Sequence, residues 1–358
     1  LNNAKNGEKA IARITDWPEH ARNPFGEITD VLGKPGEHDV EMQSILADKG
    51  FPISFPKHVV NEAQQISQAI GEKEVQKRRD FRSVFTCTVD PADAKDFDDA
   101  LSLKKLDNGN WEVGIHIADV SHYVKPGTSI DEEAYNRGTS VYLVDRVIPM
   151  LPEELSNELC SLKPRVDKLC YAAVFELDEK ATVISEWFGR TVINSNRRYN
   201  YEEVQQVIEG GQDEFMREIQ VLHDLASKIR KIRFEKGAIA FTSQEVKFRL
   251  DENGKPIEAY IKEQKDSNRL IEDFMLLANR KVAERVGRKH GKQEPKTFVY
   301  RIHDMPNPEK LNTFAEFLKK LGYKIQTGSQ KAISTSLNTL FEDIKGKGEE
   351  NMIEAIAI

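Results

Sequence analysis

Carboxylates are concentrated in one short stretch of the sequence, where five aspartates fall within ten residues: Asp90, Asp93, Asp96, Asp98 and Asp99. Apolar, strand-like runs flank the stretch at 84–89 and 100–103 and draw it toward the protein interior. Burial of charged carboxylates away from water costs free energy unless some of them become protonated or a cation offsets their charge. Hard divalent cations prefer oxygen ligands, so the stretch predicts a Mg²⁺ site; the alternative is an aspartate-rich surface turn that caps helices.

The spacing of these aspartates indicates which of them face each other. If the chain is extended there, Asp96 and Asp98 point to one side and Asp99 to the other, because side chains alternate along a strand. Asp90 precedes the Pro91 turn and is placed to fold back toward them. An EF-hand is excluded, since the loop lacks the required glycine and the closing glutamate. These residues favour metal-assisted hydrolysis of a phosphate ester, because Mg²⁺ activates water and neutralises phosphate.

The elements around this stretch interleave without a strict βαβ period, which predicts a mixed α+β or α/β domain from about residue 81 onward. Strands are expected at 85–89, 111–124, 171–178 and 183–194, with a hairpin at 246–261. The helical spacing of apolar residues predicts helices at 216–234, 269–286 and 308–321. His116 alternates with apolar residues in its strand, and we expect it to be a buried structural histidine rather than a catalytic base.

The first 80 residues differ from the rest. Residues 1–35 are typical of short strands and turns that end at a glycine- and proline-rich breaker, which indicates the tail of a small β-barrel. Residues 36–80 form a connector, with a polar helix expected at 59–77. We therefore expect three parts, 1–35, 36–80 and 81–358.

Composition narrows the function classes. The 358 residues contain 52 Lys plus Arg against 59 Asp plus Glu, a formal net charge of −7, and 39% of them are hydrophobic. This ordinary globular composition excludes collagenous, disordered and membrane-spanning proteins. An acidic balance by itself argues against a nucleic-acid partner. Three cysteines without metal or disulfide spacing, Cys87, Cys160 and Cys170, predict a reducing, cytoplasmic setting.

Several ordered motifs resemble the ribonuclease II / ribonuclease R family of exoribonucleases, and its bacterial ribonuclease R members most of all. The acidic stretch at 90–100 is similar to the catalytic signature of that family. The matching pattern continues through 115–124, 137–142, 149–162, 270–279 and 300–304. The resemblance covers essentially the whole chain and implies an RNB-type catalytic domain of mixed α/β structure, preceded by the end of an all-β cold-shock, or OB, barrel.

The resemblance also implies a reaction, the 3′-to-5′ hydrolysis of single-stranded RNA to 5′-mononucleotides. In that reaction Asp90, Asp96, Asp98 and Asp99 hold Mg²⁺, with Mn²⁺ as an alternative ion, and Asp98 is the least replaceable. Asp93 is not at a catalytic position of the family.

Contacts to RNA are implied at four further positions. Tyr142 stacks on the 3′-terminal base, and Phe241 is an aromatic wedge on the opposite side. Tyr201 and Glu272 contact ribose hydroxyls, which distinguish RNA from DNA. The implied partner is the 3′ end of single-stranded RNA, and we expect a monomer with no membrane and no obligate protein partner. Basic residues expected to face RNA are Lys77, Arg78, Arg79, Arg82, Arg197 and Arg198.

The sequence departs from the family pattern at both ends. After Leu321 it has no arginine motif of the kind that contacts the scissile phosphate and no S1 RNA-binding domain, and at the front it has only the end of a cold-shock domain. We therefore expect a C-terminally shortened piece with little or no exonuclease activity. Two alternatives stay open, a non-catalytic RNA-binding homologue and a metal-dependent phosphoesterase that acts on small substrates.

Overall fold

A computed structural model describes residues 3–240, 245–252, 254–289, 294–302 and 305–357 of the chain. By its internal contacts the chain divides into two compact units. The first unit comprises Leu1–Ala69, Val120–Cys160 and Val246–Tyr260. The second comprises Ile70–Asp119, Ser161–Glu245 and Ile261–Ile358.

Strands and helices are named here in chain order within the described residues. The strands are β1 (Lys9–Asp16), β2 (Phe25–Gly33), β3 (Arg79–Asp80), β4 (Phe85–Asp90), β5 (Asp99–Lys105), β6 (Trp111–Ala118), β7 (Val141–Tyr142), β8 (Val147–Ile148), β9 (Asp167–Leu177), β10 (Val183–Asn194), β11 (Arg197–Asn200), β12 (Glu245–Leu250) and β13 (Pro256–Lys262). The helices are α1 (His38–Asp48), α2 (Lys57–Gln65), α3 (Glu72–Val75), α4 (Val120–Tyr123), α5 (Ser129–Arg137), α6 (Tyr201–Ile208), α7 (Met216–Glu235), α8 (Asp266–Gly287), α9 (Pro308–Lys320), α10 (Gln330–Ile344) and α11 (Glu350–Ala357). A π-helical turn spans Glu154–Leu159. Among these described helices, none is both long enough and apolar enough to cross a bilayer.

The second unit is built on a sheet to which its described residues contribute seven strands, in the order β11-β4-β5-β6-β9-β10-β3. Neighbouring strands are antiparallel except at two pairs, β11 with β4 and β10 with β3, which are parallel. Hairpin neighbours and crossovers are thus combined in one sheet, which confirms the predicted mixed α/β class.

One face of this sheet packs against α6, α7 and α8. Val113 and Ile115 of β6 are buried there together with Leu222 of α7 and Phe274 of α8. The alternation of β6 therefore predicted its buried face correctly, although Ile117, at the end of the strand, is 44% exposed. Burial of these side chains removes apolar surface from water and fixes the sheet on which the acidic stretch lies.

The opposite face of the sheet carries a buried polar cluster around His116. His116 is fully buried, with Nε2 2.9 Å from Ser102 Oγ and Nδ1 3.0 Å from Thr191 Oγ1. The ring of Phe81 meets the imidazole edge-on at a centroid distance of 4.8 Å. Burial, reinforced by the positive charge of Arg79, lowers the pKa of His116 to about 3, so the ring is neutral near pH 7. The prediction of a structural histidine is confirmed.

A separate apolar cluster holds α9, α10 and α11 together. Leu318, Leu337, Ile344 and Ile353 are among its buried residues. Helices α10 and α11 were not predicted, although the Ser329 side chain caps α10 by accepting a hydrogen bond from the amide of Ala332.

In the first unit, β1 and β2 form an antiparallel hairpin with α1 packed beside it, and α2 packs on α5 and the π-helical turn. Arg137 of α5 is buried, with its guanidinium carbon 3.6 Å from the centroid of the Phe55 ring. It donates hydrogen bonds to the carbonyl of Ser54 and to the carboxylate of Glu133, both at 2.8 Å. These bonds compensate the buried charge and join α5 to the extended segment before α2.

Two predicted boundaries are wrong. The helix expected at 59–77 is two helices, because Ile66 leaves the helical conformation with φ −69° and ψ 126° and Gly71 then precedes α3. The strand expected at 111–124 ends at Ala118, and the chain continues into the short helix α4. The break falls at Asp119, whose buried carboxylate pairs with Arg78 instead of continuing the alternation of the strand.

Candidate active site

The clustered aspartates lie where two neighbouring strands of the large sheet meet. β4 ends at Asp90, β5 begins at Asp99, and the strands are antiparallel with Cys87 opposite Leu101. Because the connection folds back on itself, both ends of the acidic stretch lie at the same end of the strand pair. The intervening residues 91–98, named here the acidic loop, are not a strand, so the expected alternation of Asp96 and Asp98 does not apply.

Hydrogen bonds to two other segments anchor the far end of the acidic loop. Ser161 Oγ accepts from the amide of Phe97 at 3.1 Å and donates to the carbonyl of Lys95 at 2.9 Å. The amide of Leu162 donates to the carbonyl of Phe97 at 2.8 Å, and the amide of Ala118 donates to the carbonyl of Asp98 at 2.9 Å. The carboxylates after Lys95 are therefore attached to a fixed backbone.

Burial makes this position unfavourable for negative charge. Desolvation raises the pKa of Asp90 to about 7, and the charges of Asp99 and Asp96 act in the same direction. Arg198 opposes this shift with its positive charge. Desolvation likewise raises the pKa of Asp99 to about 6, with a contribution from Asp98. The charge of Asp99 therefore acts on Asp90, and the charge of Asp98 acts on Asp99.

Asp98 lies at the open side of the cluster and is exposed. Crowding still removes part of its hydration, which raises its pKa, and the charge of Asp96 adds to the effect. Asp93 is exposed on the acidic loop as well, and the pKa of neither Asp90, Asp98 nor Asp99 is shifted by it.

The donor chemistry of these residues fits a hard divalent cation. The carboxylates of Asp96, Asp98 and Asp99 are each close enough to raise the pKa of another aspartate of the set, and Asp90 Oδ2 is buried without a hydrogen-bond partner among the described residues. A cation supplies the compensation that such oxygens require. The oxygens are nevertheless not gathered around one point: in the part of the chain that the structure describes, no three His, Cys, Asp or Glu side chains are arranged to hold a metal ion.

Tyr201 is brought to these carboxylates by the strand next to β4. Asn200 pairs with Asp90 in the parallel register of β11 and β4, and it caps α6 through a reciprocal capping box with Glu203. Tyr201 follows as the first residue of α6. Burial raises the pKa of its phenol to about 12, and the charges of Asp99 and Asp90 add to the shift.

Two of the other three predicted RNA contacts belong to described elements. Glu272 is on α8, where its carboxylate lies 3.3 Å from the guanidinium of Arg233 on α7. Tyr142 ends β7 in the first unit and is 69% exposed, which suits an aromatic ring that must receive a base. Phe241 lies outside the described residues.

Most of the basic residues expected to face RNA are paired with carboxylates of the protein itself. Arg78 is buried, with Nη2 2.8 Å from Asp119 Oδ2, so the expectation that it faces RNA is wrong. A guanidinium inside the fold needs such a partner because burial of an unpaired charge is costly. The other pairs are Lys77 with Glu74, Arg79 with Glu112, Arg82 with Asp80 and Asp167, and Arg197 with Glu203 and Asp213.

Arg198 and Ser161 form contacts that the sequence analysis missed. Arg198 Nη2 donates to the carbonyls of Pro91, at 2.5 Å, and Ala92, at 3.0 Å. Its guanidinium carbon lies 5.3 Å from the centroid of the Phe97 ring. These two residues are 107 and 64 positions away from their partners Pro91 and Phe97, so no local pattern reveals the contacts.

Family models match both parts of the chain. The model of the RNB domain matches residues 78–358, and that of the cold shock domain matches residues 1–56. A curated relative, ribonuclease R 1 of Lactococcus lactis, is 36% identical over 362 residues, which cover 98% of this chain and 44% of that protein. The chain thus spans less than half the length of this relative.

Solved structures share the fold. RNase R of Mycoplasma genitalium, in complex with ribose-methylated single-stranded RNA, superposes with a TM-score of 0.86 at 24% identity and covers 100% of this chain and 56% of that chain. Yeast Ssd1, described as a pseudonuclease, gives a TM-score of 0.71 at 19% identity and covers 98% of this chain and 43% of that chain. A fold that is common to both proteins does not by itself decide whether a member cleaves RNA.

Proposed function

Because this chain belongs to the RNB domain family, which includes ribonuclease R, we propose that it carries the catalytic site of a 3′-to-5′ exoribonuclease. The substrate proposed is single-stranded RNA, and the products are 5′-mononucleotides. The observation that carries the proposal is the set Asp90, Asp96, Asp98 and Asp99, held at one end of β4 and β5 in surroundings that raise the pKa of Asp90, Asp98 and Asp99. Buried carboxylates at a strand end with strongly shifted pKa values are typical of functional sites.

These four carboxylates would hold Mg²⁺, with Mn²⁺ as the alternative ion. When bound, the ion would activate water and neutralise the phosphate that is cleaved. The residues themselves supply negative oxygen donors on a backbone that Ser161 fixes at the far end of the acidic loop. Asp98, at the open side of the cluster, is the carboxylate most accessible to substrate.

The proposed RNA contacts use the remaining residues of the sequence prediction. With its pKa raised to about 12, the Tyr201 phenol keeps its proton near pH 7 and is able to donate a hydrogen bond to a ribose hydroxyl. Glu272 offers an acceptor whose position Arg233 fixes. Tyr142 and Phe241 are proposed to stack on bases, a contact that tolerates any sequence.

A second candidate function is RNA binding without cleavage. It is favoured by one observation, namely that in the described residues no three candidate ligands are arranged to hold a metal ion. The shared fold of Ssd1, described as a pseudonuclease, is compatible with this alternative. Both functions predict RNA binding, so cleavage is the property that distinguishes them.

The test compares wild-type protein with Asp98→Asn on a 5′-labelled single-stranded oligoribonucleotide and its DNA counterpart, with Mg²⁺ and with EDTA. We expect wild type to shorten RNA slowly, from the 3′ end and only with Mg²⁺, and to spare DNA. Asp98→Asn should slow degradation at least about a hundredfold while RNA affinity is retained, because a group that acts on the transition state is lost.

The matched control is Asp93→Asn, an exposed aspartate of the same loop that should leave the rate unchanged. Unchanged turnover in Asp98→Asn would remove Asp98 from the mechanism. RNA binding by wild type without any degradation would favour the non-catalytic alternative.

The three cysteines bear on the cellular setting of the protein. Cys87, Cys160 and Cys170 are all buried free thiols, as a reducing compartment allows. We propose a cytoplasmic protein that acts as a monomer on the 3′ end of single-stranded RNA.

A further inference from the structure

The acidic loop is fixed at its two ends by different means. At the far end, main-chain and serine contacts hold the backbone from Lys95 to Asp98. At the near end, Pro91 and Ala92 are exposed, and within the loop the amide of Ala94 donates to the carbonyl of Pro91 at 3.1 Å. The tertiary contact of this near end comes from Arg198 on the neighbouring strand β11.

The contact between Arg198 and the loop uses the shape of the guanidinium as well as its charge. Nη2 donates to two successive carbonyls, those of Pro91 and Ala92, while the guanidinium lies near the ring of Phe97. Near and far ends of the loop therefore meet on one side chain. A lysine ammonium is a point charge without the planar face that the guanidinium presents to the ring of Phe97.

The charge of Arg198 is also placed differently from that of its neighbours. Arg197 is paired with Asp213 and Glu203, whereas in the described part of the chain no carboxylate pairs with Arg198. Arg198 lies opposite Thr88 on β4, two residues before Asp90. Arg198 thus combines a tether on the loop with a positive charge beside the carboxylates.

We propose that Arg198 is a positioning residue of the acidic site, which ties the near end of the acidic loop to β11 and so sets where Asp96 and Asp98 lie relative to Asp90. Its effect on RNA cleavage rests on the proposed function, but its effect on the loop does not. Arg198 acts through the aspartates and need not touch the RNA itself. The shape of the guanidinium, and not its charge alone, is required.

Hydrogen–deuterium exchange of the full chain tests the tether without any RNA. Wild type is compared with Arg198→Lys, which keeps the charge, and with Arg198→Met, which removes it. Both variants should exchange the amides of residues 92–97 at least about tenfold faster than wild type, while β9 exchanges as before. The matched control Arg280→Lys alters an exposed ion pair with Glu284 on α8 and should leave the loop unchanged.

Three results would overturn the proposal. The first is wild-type protection of the loop in Arg198→Lys, which would show that charge alone is sufficient. The second is equally faster exchange in the loop and in β9, which would show general destabilisation. The third is a wild-type loop that exchanges as fast as an unstructured peptide.

RNA degradation by the same proteins is measured separately and tests the proposed function. If wild type degrades RNA, Arg198→Lys should lower kcat at least about tenfold with little change in RNA affinity. An unchanged kcat despite a loosened loop would remove the positioning role. If wild type does not degrade RNA, the proposed function fails, and the exchange experiment still decides whether Arg198 ties the loop.

Discussion

At the scale of single residues, His116 has a structural role although it lies in one of the motifs that resemble the exoribonuclease family. Both ring nitrogens are engaged, with Ser102 and Thr191, and the buried ring has a pKa lowered to about 3. In the unfolded chain a histidine titrates near its ordinary value of about 6.5. Between these two values the unfolded state binds the proton and the folded state does not, so stability is lost as the pH falls below about 6.5.

This difference in pKa between the folded and the unfolded chain makes the stability of the protein depend on pH. The substitution His116→Gln should reduce that dependence. Between pH 7.5 and pH 5.5, wild type should lose about 1 kcal/mol more of its free energy of unfolding than the variant, which has no imidazole to protonate. The measurement is urea unfolding followed by tryptophan fluorescence, since Trp111 and Trp187 both lie in the large sheet.

The variant itself should be less stable than wild type at both pH values, because Thr191 loses its partner. Only the change with pH therefore tests the assignment. Equal losses in wild type and variant would contradict a neutral buried imidazole at position 116.

Site residues could be predicted from the sequence where several side chains of the same type are clustered along the chain. The five clustered aspartates stood out because apolar strands flank them, and the resemblance selected four of them and added Tyr201, which the structure brings beside Asp99 and Asp90. Arg78 was assigned to the RNA face because its neighbours are basic, yet it is buried against Asp119. Neighbouring residues in the sequence do not reveal an ion pair whose two members are brought together only by the folded sheet.

At the scale of elements, the short hairpin of β7 and β8 presents Tyr142. Val141 pairs with Ile148 and Tyr142 with Val147, and the turn closes where the amide of Leu143 donates to the carbonyl of Arg146 at 2.8 Å. Arg146 then pairs with Asp145 within the turn. The side chain of Asp145 is buried, and its Oδ2 lies 2.9 Å from Nε2 of His38, so a hydrogen bond joins the hairpin to α1.

An exposed aromatic on a fixed hairpin predicts a loss of RNA affinity without a loss of stability. Tyr142→Ala, made in the Asp98→Asn background so that RNA is not degraded, should weaken binding of single-stranded RNA by about 1–3 kcal/mol. Fluorescence anisotropy with a labelled oligoribonucleotide measures the effect.

Tyr135→Ala is the matched control, because Tyr135 is 87% exposed on α5 in the same unit and has no proposed contact with RNA. We expect wild-type affinity for it. If both tyrosine variants bind RNA equally well, Tyr142 does not stack on a base.

Whole elements were predictable where apolar periodicity is sustained. The long pair β9 and β10 and the helices α7, α8 and α9 were all anticipated to within a few residues. The expected helix at 59–77 failed because the Ile66–Gly71 break costs little in a polar segment with few buried contacts. α10 was missed although Ile333, Leu337 and Leu340 recur at helical spacing after the Ser329 cap, and α11, with eight residues, is too short for such a pattern.

At the scale of the whole molecule, the net charge of −7 conflicts with the RNA partner of the proposed function. Local positive charge was expected to compensate for this negative net charge, but much of it is neutralised by pairing within the protein. The basic residues that lie against a carboxylate of the protein are Lys77, Arg78, Arg79, Arg82 and Arg197. Few of these cations remain to displace counterions from RNA. Stacking and hydrogen bonds to ribose should then carry more of the affinity than contacts to phosphate.

This balance predicts a weak dependence of RNA affinity on salt. For single strands the logarithm of the binding constant falls with the logarithm of salt concentration by about 0.7 for each phosphate neutralised, so two or three phosphates give a slope no steeper than about −2. The measurement is anisotropy of a labelled oligoribonucleotide with the Asp98→Asn protein across a series of KCl concentrations. Tyr142→Ala in that background should lower the affinity and leave the slope unchanged, because stacking releases few ions. A slope near −4 or steeper would mean about six phosphate contacts and would contradict binding dominated by stacking and ribose contacts.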